Sequence, residues 1–139
     1  MKRLSAITAA GLSLAAVTTA YAGMKPEVRF AKGTTSTVVQ GSVVLRDSDV
    51  WRVAGKAGQT LRVDIGAPGR NAVFQAYGPK TRMGHDQYGW SFAGKSLPGA
   101  EPGKDARTLV AKLPTTGTYL IVVGAVQGNA DYRMTVSIR

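Results

Sequence analysis

The sequence predicts an all-β fold, an antiparallel jelly-roll-like β-sandwich of about eight strands. Apolar and polar residues alternate with period two along several segments, as they do in strands that bury one face. Runs of Gly, Pro, Asn and Thr separate these segments and indicate turns. Glycine makes up 17 of the 139 residues, which suits many short strands joined by tight turns.

The elements follow in order along the chain. Weaker alternation predicts the first three strands, and clear alternation predicts the fourth, in which Leu61, Val63 and Ile65 form one apolar face. Weaker alternation predicts the fifth and sixth strands, and clear alternation predicts the seventh and eighth. The predicted strands are residues 28–31, 37–44, 49–54, 60–65, 72–77, 108–113, 118–124 and 132–138.

The turn residues lie between these strands, at 55–58, 67–69, 78–79 and 114–117. Residues 79–107 lack any alternating run and are predicted as one long loop. Long loops in compact domains are commonly functional, so this loop is a candidate binding surface.

The first 22 residues are predicted to be a cleaved signal peptide. Lys2 and Arg3 form a positive start, residues 4–17 are apolar, and Ala20-Tyr21-Ala22 offers the small residues that signal peptidase accepts. The apolar run is shorter than the roughly 20 residues that span a bilayer, so no transmembrane segment is predicted. We therefore expect one β-sandwich domain, residues 23–139, in the periplasm or secreted from a bacterium.

The composition excludes several kinds of chemistry. No cysteine is present, which removes disulfides, thiol nucleophiles and zinc-thiolate sites. The single histidine, His85, is followed by Asp86, but no nucleophile motif accompanies the pair. The sequence therefore predicts a protein that is not an enzyme, with no catalytic residues and no cofactor.

Asp47 and Asp49 could hold a calcium ion together with loop carbonyls. Alternatively, Asp47 caps a turn and Asp49 opens a strand. The chain has only 8 acidic residues, so the second interpretation is favoured and no metal site is predicted.

The net charge of the chain is +10, and loss of Lys2 and Arg3 with the signal peptide lowers it to +8. The basic residues are spread along the predicted strands and form no nucleic-acid-binding motif. We expect no nucleic-acid partner, and we expect attraction to anionic polymers or lipid head groups of the cell envelope.

The predicted loop carries three aromatic residues at every second position. Tyr88, Trp90 and Phe92 could stack on a sugar, with Arg82 and His85 nearby, in a module that binds cell-wall polysaccharide. Alternatively, one or two of the aromatic rings plug the open end of the sandwich.

Several short blocks in the chain resemble bacterial pre-peptidase C-terminal (PPC) domains in order and spacing. These blocks are residues 49–53, 56–61, 74–79, 113–119 and 128–136. Among stand-alone forms, the chain is similar in length and layout to the periplasmic inhibitors of g-type lysozyme, which also open with a strand like residues 28–33.

This resemblance implies a jelly-roll-like sandwich that binds a g-type lysozyme and places loops from one end into the substrate cleft of the enzyme. The corresponding partner-binding residues here are Arg46, Asp47, Ser48, Asp49, Gln127 and Asn129. In those inhibitors the last hairpin is longer and carries arginines, and an aromatic residue is expected near residues 46–48. Here residues 124–129 are uncharged, and residues 46–48 lack an aromatic ring.

Overall fold

The computed structural model describes residues 23–139, which form ten strands and one 3₁₀ turn, Pro68–Arg70. The strands are β1 (Met24–Glu27), β2 (Ser36–Val44), β3 (Asp49–Gly55), β4 (Thr60–Gly66), β5 (Ala72–Tyr77), β6 (Arg82–Asp86), β7 (Gly89–Ala93), β8 (Thr108–Lys112), β9 (Gly117–Ala125) and β10 (Asn129–Ile138). The predicted all-β sandwich is confirmed. The predicted signal peptide lies outside the described residues, and residues 23–139 include no helix of the length and apolar character needed to cross a membrane.

Eight of the strands form two facing sheets. Sheet I has the order β1-β3-β9-β5 and sheet II the order β2-β10-β4-β8. All neighbours are antiparallel except β1 and β3, which pair in parallel. The main core lies between the sheets, where Phe74, Tyr119 and Ile121 of sheet I meet Leu61 and Met134 of sheet II. Each such side chain contributes about 1.5–3 kcal/mol through burial.

The predicted strand at residues 28–31 is wrong, because the first strand is β1, just before it. Val28 still donates its backbone N–H to the carbonyl oxygen of Arg52 at 2.8 Å. A turn closed by the Thr34 N–H on the Ala31 carbonyl, with Gly33 at a φ of +81°, then leads the chain across to β2.

The prediction of one long loop over residues 79–107 is also wrong, because β6 and β7 form a hairpin there. This hairpin covers the outer face of sheet I. Trp90 and Phe92 pack against a second apolar cluster that includes Leu120 and Val122. The rings of Phe92 and Tyr77 stack at a centroid distance of 5.2 Å. The aromatic rings therefore cover a sheet face and do not plug the open end of the sandwich.

Residues 94–107 run along the free edge of β5. Bridges between Tyr77 and Ser96 and between Phe74 and Ala106 tie this segment to the strand. A covered edge has fewer backbone groups free to pair with another chain. The segment then reaches β8 at the opposite end of the sandwich.

The connecting segments gather at two ends. The Arg46 end consists of residues 45–48, 67–71 and 126–128 and the hairpin turn at 87–88. The Lys80 end consists of residues 28–35, 56–59, 78–81, 94–98 and 113–116.

Candidate functional site

The loop between β2 and β3 presents Arg46 in an uncommon backbone conformation. The Asp47 N–H donates to the Val44 carbonyl at 2.9 Å, closing a tight turn, and the Leu45 N–H donates to the Gly128 carbonyl at 2.6 Å. Arg46 has a φ of +77°, in the left-handed region that favours glycine. An arginine there costs about 1 kcal/mol of conformational energy, and such strain is common at binding sites.

Asn71 holds the neighbouring β9–β10 turn in place. Its side-chain amide donates to the carbonyl oxygens of Gln127 and Asn129 at 2.6 and 2.8 Å. Its side-chain oxygen accepts the Gln127 N–H at 2.9 Å. The exposed side chains of Gln127 and Asn129 therefore stand on a turn whose backbone is fixed.

Asp49, the residue that follows the Arg46 loop, is anchored in the interior of the sandwich. Its side chain belongs to a residue only 4% exposed, and it accepts a hydrogen bond of 2.6 Å from the Tyr132 hydroxyl. The Tyr132 hydroxyl in turn accepts a bond of 2.8 Å from Trp51 Nε1, and Lys25 Nζ lies 3.7 Å from Asp49. Burial, reinforced by the Asp49 carboxylate, raises the pKa of Tyr132 far above its usual value, so this hydroxyl stays a donor.

This buried chain of hydrogen bonds needs a glycine at position 41 of β2, which pairs with Tyr132 in the neighbouring strand β10. A Cβ at Gly41 would come 2.5 Å from the Tyr132 hydroxyl oxygen. Of the predicted loop residues, Asp49 is thus an interior acceptor, whereas Asp47 is exposed and Ser48 half-buried. Within residues 23–139, no group of three or more His, Asp or Glu side chains is placed to hold a metal ion.

The β6–β7 hairpin brings aromatic residues to the same end. A Cβ at Gly89 would lie 3.8 Å from the Arg46 carbonyl oxygen, so the hairpin turn borders the Arg46 loop. Tyr88 in that turn is 85% exposed, and its N–H donates to the Asp86 carboxylate at 2.8 Å. The hairpin turn thus places an exposed aromatic residue next to residues 46–48, which contain none.

A pocket of about 260 Å³ separates the hairpin from the Arg46 loop. Asp47, Ser48 and Asp49 line one side, and His85 and Trp90 line the other. The rings of His85 and Trp90 meet edge to face with centroids 4.7 Å apart. Two sets of residues that the sequence suggested as alternatives therefore border one pocket.

Two of the predicted residues lie elsewhere. Arg82 pairs with Ala93 at the base of the hairpin, toward the Lys80 end. Phe92 packs on the outer face of sheet I, and Trp90 is half-buried beside it with their ring centroids 6.3 Å apart. Tyr88 is thus the aromatic residue of the three that projects into solvent.

The Arg46 end also exposes apolar side chains that the sequence reasoning missed. Of the seven large hydrophobic residues exposed in the described part of the chain, Leu45, Tyr88 and Val126 lie at this end and Val44, the last residue of β2, adjoins it. Turns usually carry polar residues, so the apolar Leu45 and Val126 at turn positions could have indicated this surface from the sequence. Exposed apolar residues rimmed by polar side chains are typical of protein-binding surfaces.

Three solved structures resemble this chain over most of its length. PliG of Aeromonas hydrophila, a periplasmic inhibitor of g-type lysozyme, is 28% identical with a TM-score of 0.61, covering 81% of this chain and 94% of that one. A mutant of the Escherichia coli inhibitor is 23% identical with a TM-score of 0.60, covering 85% and 100%. The Salmonella Typhimurium inhibitor is 20% identical with a TM-score of 0.57, covering 82% and 96%.

No family model matches the chain, and no curated protein matches it. The resemblance to PPC domains therefore stays a prediction. These three structural neighbours are periplasmic inhibitors of g-type lysozyme, and the likeness covers 81%, 85% and 82% of this chain.

Proposed function

We propose that this chain is a non-enzymatic periplasmic protein that inhibits g-type lysozyme by inserting the Arg46 end into the substrate cleft of the enzyme. One observation carries the proposal: four exposed apolar side chains lie at or next to the end of the sandwich that carries Arg46, an arginine with a left-handed φ. The structural likeness to three inhibitors of this enzyme class supports the choice of partner.

The chemistry of the enzyme class fits this surface. Glycoside hydrolases carry carboxylates in their substrate clefts. A guanidinium forms paired, charge-assisted hydrogen bonds with a carboxylate. In the proposed complex Arg46 pairs with an acidic side chain of the cleft, while Leu45, Tyr88 and Val126 exclude water around that pair.

The backbone of this end is fixed before binding. Asn71 holds the β9–β10 turn, and the bond between Leu45 and Gly128 ties that turn to the Arg46 loop. A prearranged surface loses less conformational entropy on association, which favours affinity for a short loop pair.

The test is lysis of peptidoglycan by g-type lysozyme in the presence of the purified protein. We expect lysis to slow at stoichiometric concentration, and we expect Arg46→Gly to raise the concentration for half-inhibition by about tenfold or more. Lys80→Gly is the matched control, because it removes the same charge from a left-handed residue at the other end. Undiminished lysis at a tenfold molar excess of the protein would refute the proposal.

The alternative, a module that binds cell-wall polysaccharide, predicts a different outcome. Retention on insoluble peptidoglycan would fall in Trp90→Ala or Tyr88→Ala, with no slowing of lysozyme. The packing of Trp90 and Phe92 on sheet I leaves one projecting ring for stacking on sugars, so we favour the inhibitor.

A further inference from the structure

The Lys80 end differs from the rest of the surface in its charge. The five connecting segments at this end contain no Asp or Glu. They contain five cationic residues, Arg29, Lys32, Lys56, Lys80 and Lys95, of which Arg29 lies 3.8 Å from the carboxylate of Glu27 in β1. The fold therefore concentrates positive charge that is spread out along the sequence.

A pocket of about 670 Å³ opens at this end. Its charged lining residues are three lysines, Lys80, Lys95 and Lys112, from the β5–β6 turn, the segment after β7 and the end of β8. No carboxylate lines it, and no carboxylate in residues 23–139 lies within 4 Å of these three ammonium groups. Three like charges around one pocket repel one another, and attraction to an anion bound between them offsets this repulsion.

The walls of the pocket are apolar and stiff. Pro79, Pro98 and Pro114 line it together with Leu97, and proline rings lose little conformational entropy when a ligand binds. The Thr115 carbonyl accepts a bond of 2.6 Å from the buried Tyr119 hydroxyl, which anchors the β8–β9 loop.

The lysines on this rim are also held in place through the backbone. The Gly78 N–H donates to the Lys95 carbonyl at 2.8 Å, which joins two of the segments. The Thr81 hydroxyl donates to the Gly78 carbonyl at 2.7 Å and closes the turn that carries Lys80. Lys80 follows a proline and has a φ of +73°, where glycine is the favoured residue.

We infer that this pocket binds a phosphate group carried on an organic molecule. A phosphate monoester has between about one and a half and two negative charges at neutral pH, whereas a carboxylate has one. Lysine ammonium groups act as compact point charges toward phosphate. The proline and leucine walls accept the apolar part of the molecule. This inference is independent of the proposed lysozyme inhibition, because the pocket is at the opposite end of the sandwich.

The experiment is a titration of the isotope-labelled protein with inorganic pyrophosphate, followed by NMR of the backbone amides. We expect the largest shifts at residues 78–81, 95–97 and 112–116. Lys80→Gly should weaken binding by about fivefold, the effect of one exposed ion pair. Arg46→Gly, which removes one charge from the other end, should leave the affinity unchanged.

Two further arms identify the source of the phosphate. Sedimentation with vesicles that contain phosphatidic acid, a phosphate monoester, but not with phosphatidylcholine vesicles, would assign the pocket to a lipid head group. Competition by glucose 1-phosphate without vesicle binding would assign it to a soluble phosphorylated sugar. Equal weakening by Lys80→Gly and Arg46→Gly would mean attraction to net charge alone and would overturn the proposal, as would the absence of shifts at the pocket.

Discussion

The two ends of the sandwich use the same local device in different surroundings. Arg46 and Lys80 are both cations with a left-handed φ, at +77° and +73°, and Arg70 at the Arg46 end has a φ of +56°. Around Arg46 the surface is apolar with acidic residues such as Asp47 nearby, whereas the connecting segments around Lys80 hold no acid. In both proposals a cation with a left-handed φ belongs to the binding surface, and its neighbours decide whether a protein or a small anion fits it.

The largest effect is expected from the buried support of the Arg46 end. Tyr132→Phe removes the donor to Asp49 and the acceptor for Trp51 without changing the packing volume. A buried charge and a buried N–H then lose a partner, so we expect the free energy of unfolding to fall by about 1–3 kcal/mol. Urea denaturation measures this change.

The same variant has a signature in pH. The pKa of Tyr132 in the folded protein lies above its ordinary value of 10.0, so the stability that this residue contributes is complete below pH 10 and is lost as pH rises further. The stability difference between the parent protein and Tyr132→Phe should therefore shrink above pH 10. A difference that stays constant to pH 11 would contradict the proposed role of the hydroxyl.

A smaller effect is expected from the clamp on the β9–β10 turn. Asn71→Ala removes three hydrogen bonds to backbone groups of Gln127 and Asn129, and because Asn71 is only half-buried, water can replace part of them. We expect a loss of about 1 kcal/mol in stability and faster amide exchange at residues 126–129. Gln127→Ala is the control, because its side chain takes no part in the clamp. Unchanged exchange in Asn71→Ala would show that the turn is held by other contacts.

Much of the sandwich was predictable because its strands bury one face. In β4 and β10 alternate residues face the core, and period two is visible in the sequence. The β6–β7 hairpin was missed because its segment is short, rich in glycine and only half-buried. The sequence of another strand indicated that a further element must pack there. Leu120 and Val122 occupy outward positions of β9, and a strand with apolar residues on both faces is packed against other elements on both sides.

The candidate site was predictable only in part. Residues 46–49 and the hairpin 125–129 could be chosen from the family resemblance, but nothing local in the sequence places Tyr88 beside them. Their proximity depends on how the hairpin docks on sheet I, which is a long-range packing result. The basic pocket was hidden for a similar reason, since Lys80, Lys95 and Lys112 come from three separated segments.

The smallest effect tests the strain that the two ends share. At positions 46 and 80 a glycine variant should be more stable than an alanine variant by about 1 kcal/mol, because only alanine retains the left-handed penalty. Four single variants, compared by urea denaturation, measure this difference.

At both positions the glycine variant should be the more stable one, and it should bind the ligand of that end more weakly because the cation is absent. Because the sites are at opposite ends, the changes in unfolding free energy caused by Arg46→Gly and Lys80→Gly should be additive. Each variant should lose only the binding activity of its own end. Equal stability of glycine and alanine at either position would show that no strain is stored there, and the comparison between the ends would then rest on their neighbours alone.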